Sequence, residues 1–155
     1  MLKPLLTFLA PIALALAACS GNAPRLEPPQ LSVVEIQLNQ ARSSMDVRLR
    51  LANTAARKLP ADQLRFAFEI DGNELGTFEP DVSYDIPALG SEVLEFSAAM
   101  TPAVAAAFQV LDRGGRSQLP YSINGELVHS DGQGRMPVES GGFISPTPGK
   151  PASYR

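Results

Sequence analysis

One cysteine and one histidine occur among the 155 residues, and these two scarcities remove whole classes of chemistry. A lone thiol cannot form an internal disulfide, and a lone imidazole has neither the second His nor the spare Cys that a zinc site or a Cys-His nucleophile needs. Lys and Arg are nowhere clustered, so the electrostatic footprint of a nucleic-acid binder is missing. No apolar run reaches the roughly 20 residues of a membrane-spanning helix. The spaced Asp-x-Asp-x-Asp-Gly loop with its distal Glu, which would hold calcium, is absent. "GGRS" and "SGGF" are followed by no Gly-Lys-Ser/Thr, so they are not phosphate loops.

The one cysteine sits at the end of the longest apolar stretch. Lys3 is followed by Leu5, Leu6, Phe8, Leu9, Ile12, Leu14 and Leu16 without another charge through residue 18. A short cationic start and a brief apolar run interrupted by Pro4 and Pro11 make a secretory signal and not part of the fold. Leu16-Ala17-Ala18-Cys19 then resembles the bacterial lipobox, Leu-Ala/Ser-Ala/Gly-Cys. There the small residues fit the peptidase, and the Cys19 sulfur accepts a diacylglycerol before the chain is cut ahead of it. The alternative is a chance cysteine after a plain signal. Lipidation also explains a leftover thiol in an oxidising space. Each buried CH₂ contributes roughly 0.8 kcal/mol, so the two or three chains implied by the lipobox hold where one would be marginal. Ser20, and not Asp, follows the cysteine, and by resemblance to the usual sorting rule this favours the periplasmic side of the outer membrane over the inner membrane.

Cleavage after residue 18 removes Lys3 and leaves 137 residues, with 12 Lys and Arg against 16 Asp and Glu. A chain of that size with 45% hydrophobic residues is one globular domain and not a disordered one. Two segments differ in composition. "SGNAPRLEPPQ" (20–30) and "SPTPGKPASYR" (145–155) carry three prolines each, which marks 19–30 as a tether and 145–155 as a flexible tail. At about 3.1 Å per residue the tether reaches roughly 30 Å from the bilayer.

Between them, over 31–144, apolar residues recur at every second position. In "MDVRLRLA", Met45, Val47, Leu49 and Leu51 face one way, and Asp46, Arg48 and Arg50 the other. "QLRFAFEI" repeats this with Leu64, Phe66, Phe68 and Ile70, "VVEIQLN" with Val34, Ile36 and Leu38, "EVLEFSA" with Leu94, Phe96 and Ala98, and "YSINGELVH" with Tyr121, Ile123 and Leu127. Strict alternation means one wet face and antiparallel pairing. "DGN" at 71–73, Pro87 with Gly90, and "DGQG" at 131–134 supply the reversals. The period changes once, over about 102–112, where Thr101 caps, Pro102 takes the first helical position and Gly114-Gly115 follow the end: one short helix. About seven strands, each apolar on one face, cover one another as a two-sheet antiparallel β-sandwich; a small closed barrel is the alternative.

The motifs in this order are similar to a known family. Pro29, Leu31, Val34, Ile36 and Leu38 form a P-x-L-x-x-V-x-I-x-L start, "VRLRLAN" ends a strand in Asn53, "ELGTF" follows, "DIPALGSEVLEF" carries an Ile-Pro-Ala-x-Gly turn, and "YSINGEL" places Tyr121 and Gly125 in a Y-x-x-x-G strand. Over about 29–143 the chain resembles the late-embryogenesis-abundant type 2 family, also called the WHy domain. That family usually continues Asn-Pro where this chain has Asn53-Thr54. The resemblance implies an immunoglobulin- or fibronectin-like sandwich with a short helix, a link to desiccation or other stress, and no catalytic residues, metal or cofactor.

His129 falls at the end of the Tyr121 face and reads as a core side chain. Asp62, Glu69, Asp71, Glu74 and Asp131 read as solvated turn residues. Arg48, Arg50 and Arg65 read as a solvated face balanced by Asp46 and Glu69, with a cationic stripe for anionic lipid or polysaccharide as the alternative. The resulting expectation is a non-enzymatic, lipid-anchored bacterial envelope protein, with the membrane as partner through its acyl chains and client or envelope proteins as further partners. Its protective or binding work lies on a folded surface; the alternative is an interaction module of an envelope complex.

Overall fold

The computed structural model describes residues 27–83, 85–130 and 134–155. The signal, the lipobox with Cys19, the first part of the tether and Asp131 lie outside the described residues.

Seven strands have six or more residues: β1 (Gln30–Asn39), β2 (Ser44–Ala52), β4 (Gln63–Ile70), β5 (Asn73–Phe78), β7 (Ser91–Ala99), β8 (Leu119–Val128) and β9 (Arg135–Ile144). Three two-residue strands join them, β3 (Leu59–Pro60), β6 (Asp85–Ile86) and β10 (Ser153–Tyr154). One sheet runs β10-β1-β2-β7 and the other β5-β4-β8-β9, with β3-β6 as a small separate pair. Among the described residues every strand pairing is antiparallel and none joins the two large sheets, so the molecule is a sandwich and not a closed barrel.

The inward faces carry the core. Met45, Val47, Leu49 and Leu51 of β2 and Leu64, Phe66, Phe68 and Ile70 of β4 are each at most 1% exposed. Full burial of such a side chain contributes about 1.5–3 kcal/mol. Between the sheets, Phe96 meets Phe66 edge-on at 5.5 Å and Phe68 at 6.0 Å, and within the second sheet Phe68 meets Tyr121 at 6.3 Å. Such tilted contacts suit rings with a negative face and a positive edge.

The helix α1 (Pro102–Asp112) closes one end, the helix end, between β7 and β8. Thr101 caps it by accepting the Val104 N–H, and Val104, Phe108 and Leu111 are its buried face. Asp71 (φ 52°) and Gly72 (φ 73°) turn β4 into β5 with two successive left-handed residues, the mirror-image turn that matches strand twist.

Two expectations are corrected. In β1, Val33 pairs with Leu49 and Glu35 with Arg48, so Val34 is the extra residue of a bulge. Leu31 and Val33 therefore take the inward positions before it, and Ile36 and Leu38 those after it. The segment 145–155 is no flexible tail. It folds back as a hairpin, with Ser145 and Arg155 exchanging backbone hydrogen bonds at 2.8 and 3.0 Å, and β10 then extends the first sheet along β1. Tyr154 is 1% exposed, its ring 4.6 Å from Phe108. Burial of that one aromatic outweighs the disordering effect of Pro146, Pro148 and Pro151.

Candidate functional surface

At the end opposite the helix, called here the tether end because the chain enters β1 there, the motif residues converge on one buried amide. Asn53, 3% exposed, donates from Nδ2 to the carbonyls of Arg57 (2.8 Å), Ile86 (3.2 Å) and Pro87 (2.9 Å), and its Oδ1 accepts the Ala55 N–H at 3.0 Å. Its own N–H goes to the Gly90 carbonyl at 2.9 Å. A side chain with two donors and a carbonyl is what this junction of two loops needs. The Ile-Pro-Ala-x-Gly turn is held in place from the other side, Leu89 N–H to Ala55 at 3.0 Å and Gly90 N–H to Pro87 at 3.0 Å. Leu89 itself stands at φ 55° and is 73% exposed. Pro87, Ala88, Ala56, Arg57 and Lys58 are exposed around it.

The Y-x-x-x-G strand has its own physical cause. Tyr121 Oη accepts the Val33 N–H at 3.3 Å beside the bulge, tying the two sheets together. Gly142 lies under its ring, where a Cβ would come within 3.0 Å of the ring and hydroxyl. At Gly125 an added Cβ would lie 2.1 Å from the Arg65 carbonyl oxygen and 2.6 Å from the Phe66 Cα, so only glycine lets β8 approach β4 there. "SGGF" is thus a packing feature: Ser140 Oγ donates to the Leu31 carbonyl and Gly142 accommodates Tyr121.

The charged candidates are dispersed. Arg48 pairs with Glu95 (3.1 Å) and Glu35 (3.3 Å) on the outside of the first sheet, and Arg65 with Glu79 (3.1 Å) on the second. The three arginines therefore form no common stripe, and the balancing partners differ from those expected. Asp46 accepts from Ser97 and Glu69 from Ser122 instead. Asp71 holds Arg116 with both oxygens at 2.8 Å. Exposed pairs of this kind contribute about 0–1 kcal/mol each. His129 is 7% exposed, as a core reading requires, and its backbone N–H reaches the Gly134 carbonyl at 3.0 Å. Among the described residues no three His, Cys, Asp or Glu side chains gather into a metal-holding group, and no helix is long and apolar enough to cross a membrane.

At the helix end a cleft of about 220 Å³ opens between α1 and the β1–β2 turn, lined by Leu38, Ser43, Met100, Phe108 and Asp112. The polar wall of this cleft is already in use. Asp112 accepts the Tyr154 hydroxyl at 2.7 Å, and burial together with that bond pushes the phenol well above its ordinary range. Alongside, Glu35 accepts from Ser153 Oγ at 3.1 Å and faces Lys150 at 3.7 Å. The Ser153 bond, the Arg48 bond and the Lys150 charge hold the Glu35 carboxyl below its ordinary value.

Leu89, Glu35 and Tyr154 are the residues that sequence reasoning missed. Leu89 is the variable letter of a turn motif; Glu35 and Tyr154 act through a segment whose composition reads as a tail.

No family model and no curated protein matches the chain. Among solved structures it is similar to the solution structure of AT1g01470 from Arabidopsis thaliana, with a TM-score of 0.52 and 17% identity over 83% of this chain and 88% of that one. A protein from Archaeoglobus fulgidus aligns at a TM-score of 0.42 and 9% identity, over 75% of this chain and 96% of that one. At2g46140.1, put forward as a late embryogenesis abundant (LEA) protein, aligns at 0.41 and 15%, over 84% and 76%. At 17% identity the first of these likenesses is one of fold: an all-β antiparallel sandwich with a single short helix.

Proposed function

We propose that the chain is a non-enzymatic, lipid-anchored bacterial envelope protein of the late-embryogenesis-abundant type 2 kind, which shields membrane or client proteins under desiccation or related stress through its folded surface. The observation that carries the reading is the convergence of the family-like letters. Asn53 meets the Ile86-Pro87 turn, and Tyr121 meets the β1 start, although these residues are spread over most of the chain. Letters that match a family and also touch one another in the fold argue for a shared architecture, not for chance. The lipobox around Cys19 supplies the address, and a globular composition directs attention to surface contacts instead of a hydrated, unstructured chain.

Two experiments test this. A strain lacking the gene is expected to lose survival after drying and after osmotic shock, with rescue by the intact gene; unchanged survival under both overturns the stress role. Cys19→Ala is expected to abolish palmitate incorporation and to accumulate uncleaved precursor. Normal labelling and maturation of that variant would remove the anchor. The second reading, an interaction module of an envelope assembly, predicts one dominant stoichiometric partner on crosslinking in living cells.

A further inference from the structure

We infer that the Leu89 turn is a membrane-inserting tip, seated in the headgroup region of the same anionic bilayer that holds the acyl chains. The inference rests on the lipid-anchor reading above and deepens it by assigning which part of the domain meets the bilayer.

Solvent exposure of a single leucine carries nothing by itself. Leu89 is exposed in a conformation that L-residues avoid, φ 55°, at a position where glycine or asparagine would sit more easily. It is also the most exposed large apolar side chain among the described residues, at 73%. Neither property serves the fold, because the turn is held by backbone bonds to Ala55 and Pro87 and by the Asn53 amide, none of which uses the leucine side chain. Exposed Pro87, Ala88 and Ala56 enlarge the apolar tip, and exposed Arg57 and Lys58 flank it, Lys58 sharing its charge with Asp85 at 2.8 Å. An apolar tip bordered by long cationic side chains suits the bilayer interface, where the stems lie along the acyl boundary and the charges meet phosphate.

Chain geometry supports the bilayer as occupant. Gln30 pairs with Ala52, and Ala52 with Ser91, so the point where the tether joins the fold and the start of β7 are two strand spacings apart, roughly 10 Å. Ten residues lie between Cys19 and Gln30, eleven Cα-to-Cα steps with a reach of at most about 40 Å. A lipid on Cys19 therefore lies within reach of the end that bears the tip. The Asn53 hub fixes both loops, so insertion needs no rearrangement.

The test uses the full-length mature protein in vesicles of phosphatidylethanolamine and phosphatidylglycerol. The chain has no tryptophan, so Leu89→Trp introduces a single fluorophore, and Val110→Trp, on the exposed side of α1 at the opposite end, is the control. The Leu89→Trp indole is expected to emit further to the blue than the control and to be quenched by phospholipid brominated on its acyl chains, while the control is not. In vesicles of phosphatidylcholine alone this quenching is expected to fall. Equal quenching of both variants on a vesicle-bound protein overturns the tip and leaves the anchor standing. A mature chain whose mass shows no acyl group overturns the anchor, and with it the placement of this end at a bilayer. A blue-shifted Leu89→Trp indole that brominated phospholipid does not quench, on a protein crosslinked through this turn to a second protein, also overturns the proposal, in favour of a protein docking site.

Discussion

The two ends of the sandwich are closed by different chemistry. At the tether end the chain turns on hydrogen bonds: one buried amide, Asn53, satisfies carbonyls of two loops, and Leu89 in one of those loops is exposed to solvent. At the helix end the closure is apolar and ionic. Tyr154 packs on Phe108 and donates to Asp112, and Glu35 gathers Ser153 and Lys150. A polar clasp fixes loop geometry while leaving side chains free to face outward, whereas an apolar clasp uses its side chains up.

The largest effect that would break this contrast is expected at the helix end. Tyr154→Ala removes a buried aromatic, at a cost of about 3 kcal/mol, and should release 145–155 to fast hydrogen exchange. Tyr154→Phe keeps the packing and loses only the bond to Asp112, about 1 kcal/mol. If urea unfolding finds the two variants alike, the end is held by the hydroxyl and not by the ring.

Next comes the polar clasp. Asn53→Ala removes the side-chain donor from the Arg57, Ile86 and Pro87 carbonyls, of which Pro87 keeps the Gly90 N–H, and is expected to cost about 2 kcal/mol. The damage should spread to the 85–90 amides while leaving 145–155 protected. Loss of protection at both ends together would mean that the two closures are one cooperative unit.

How much of this was legible from sequence differs between the ends for the same reason. Alternation of Met45 to Leu51 and of Leu64 to Ile70 disclosed the strands, and Thr101, Pro102 and Gly114 disclosed the helix, because each feature is local. Asn53 and the Pro87–Gly90 turn were visible as letters, although not as partners. The hairpin of 145–155 was invisible, since its cause is a contact between Tyr154 and Phe108, 46 residues apart, within a stretch whose local composition says tail. The bulge at Val34 was hidden likewise, because two adjacent valines fit either register until Tyr121 claims the Val33 N–H.

Smaller still is the response to pH, which should be confined to the helix end and its β10 strand. The Glu35 carboxyl is held below its ordinary value of 4.5, so the stabilisation it lends is present above pH 4.5 and lost as pH falls through the lowered value. Tyr154 has a raised pKa and must stay neutral, so its contribution is present below its ordinary value of 10.0 and lost as pH rises beyond that. Exchange of the 145–155 amides should therefore quicken, relative to the rest of the sheet, on both the acid and the alkaline side, while the Asn53 clasp contains no group that titrates. Equal loosening of both ends at acid pH would show that the Glu35 cluster does not govern the hairpin.

The smallest expected effect has the opposite sign and separates structure from use most sharply. Leu89→Gly relieves a left-handed leucine, worth roughly 1 kcal/mol, against about 0.5 kcal/mol for the added freedom of glycine in the unfolded chain. Thermal unfolding of the soluble, unanchored folded state should thus be unchanged or shifted slightly upward, because no neighbour loses a packing partner when a 73% exposed side chain is removed. If Leu89 instead served the fold, the midpoint would fall, as it must for Tyr154 and Asn53. A leucine whose removal stabilises the domain while weakening its seat on anionic vesicles is one that selection has kept for a contact outside the fold. That combination of signs cannot arise from a residue that merely fills a turn.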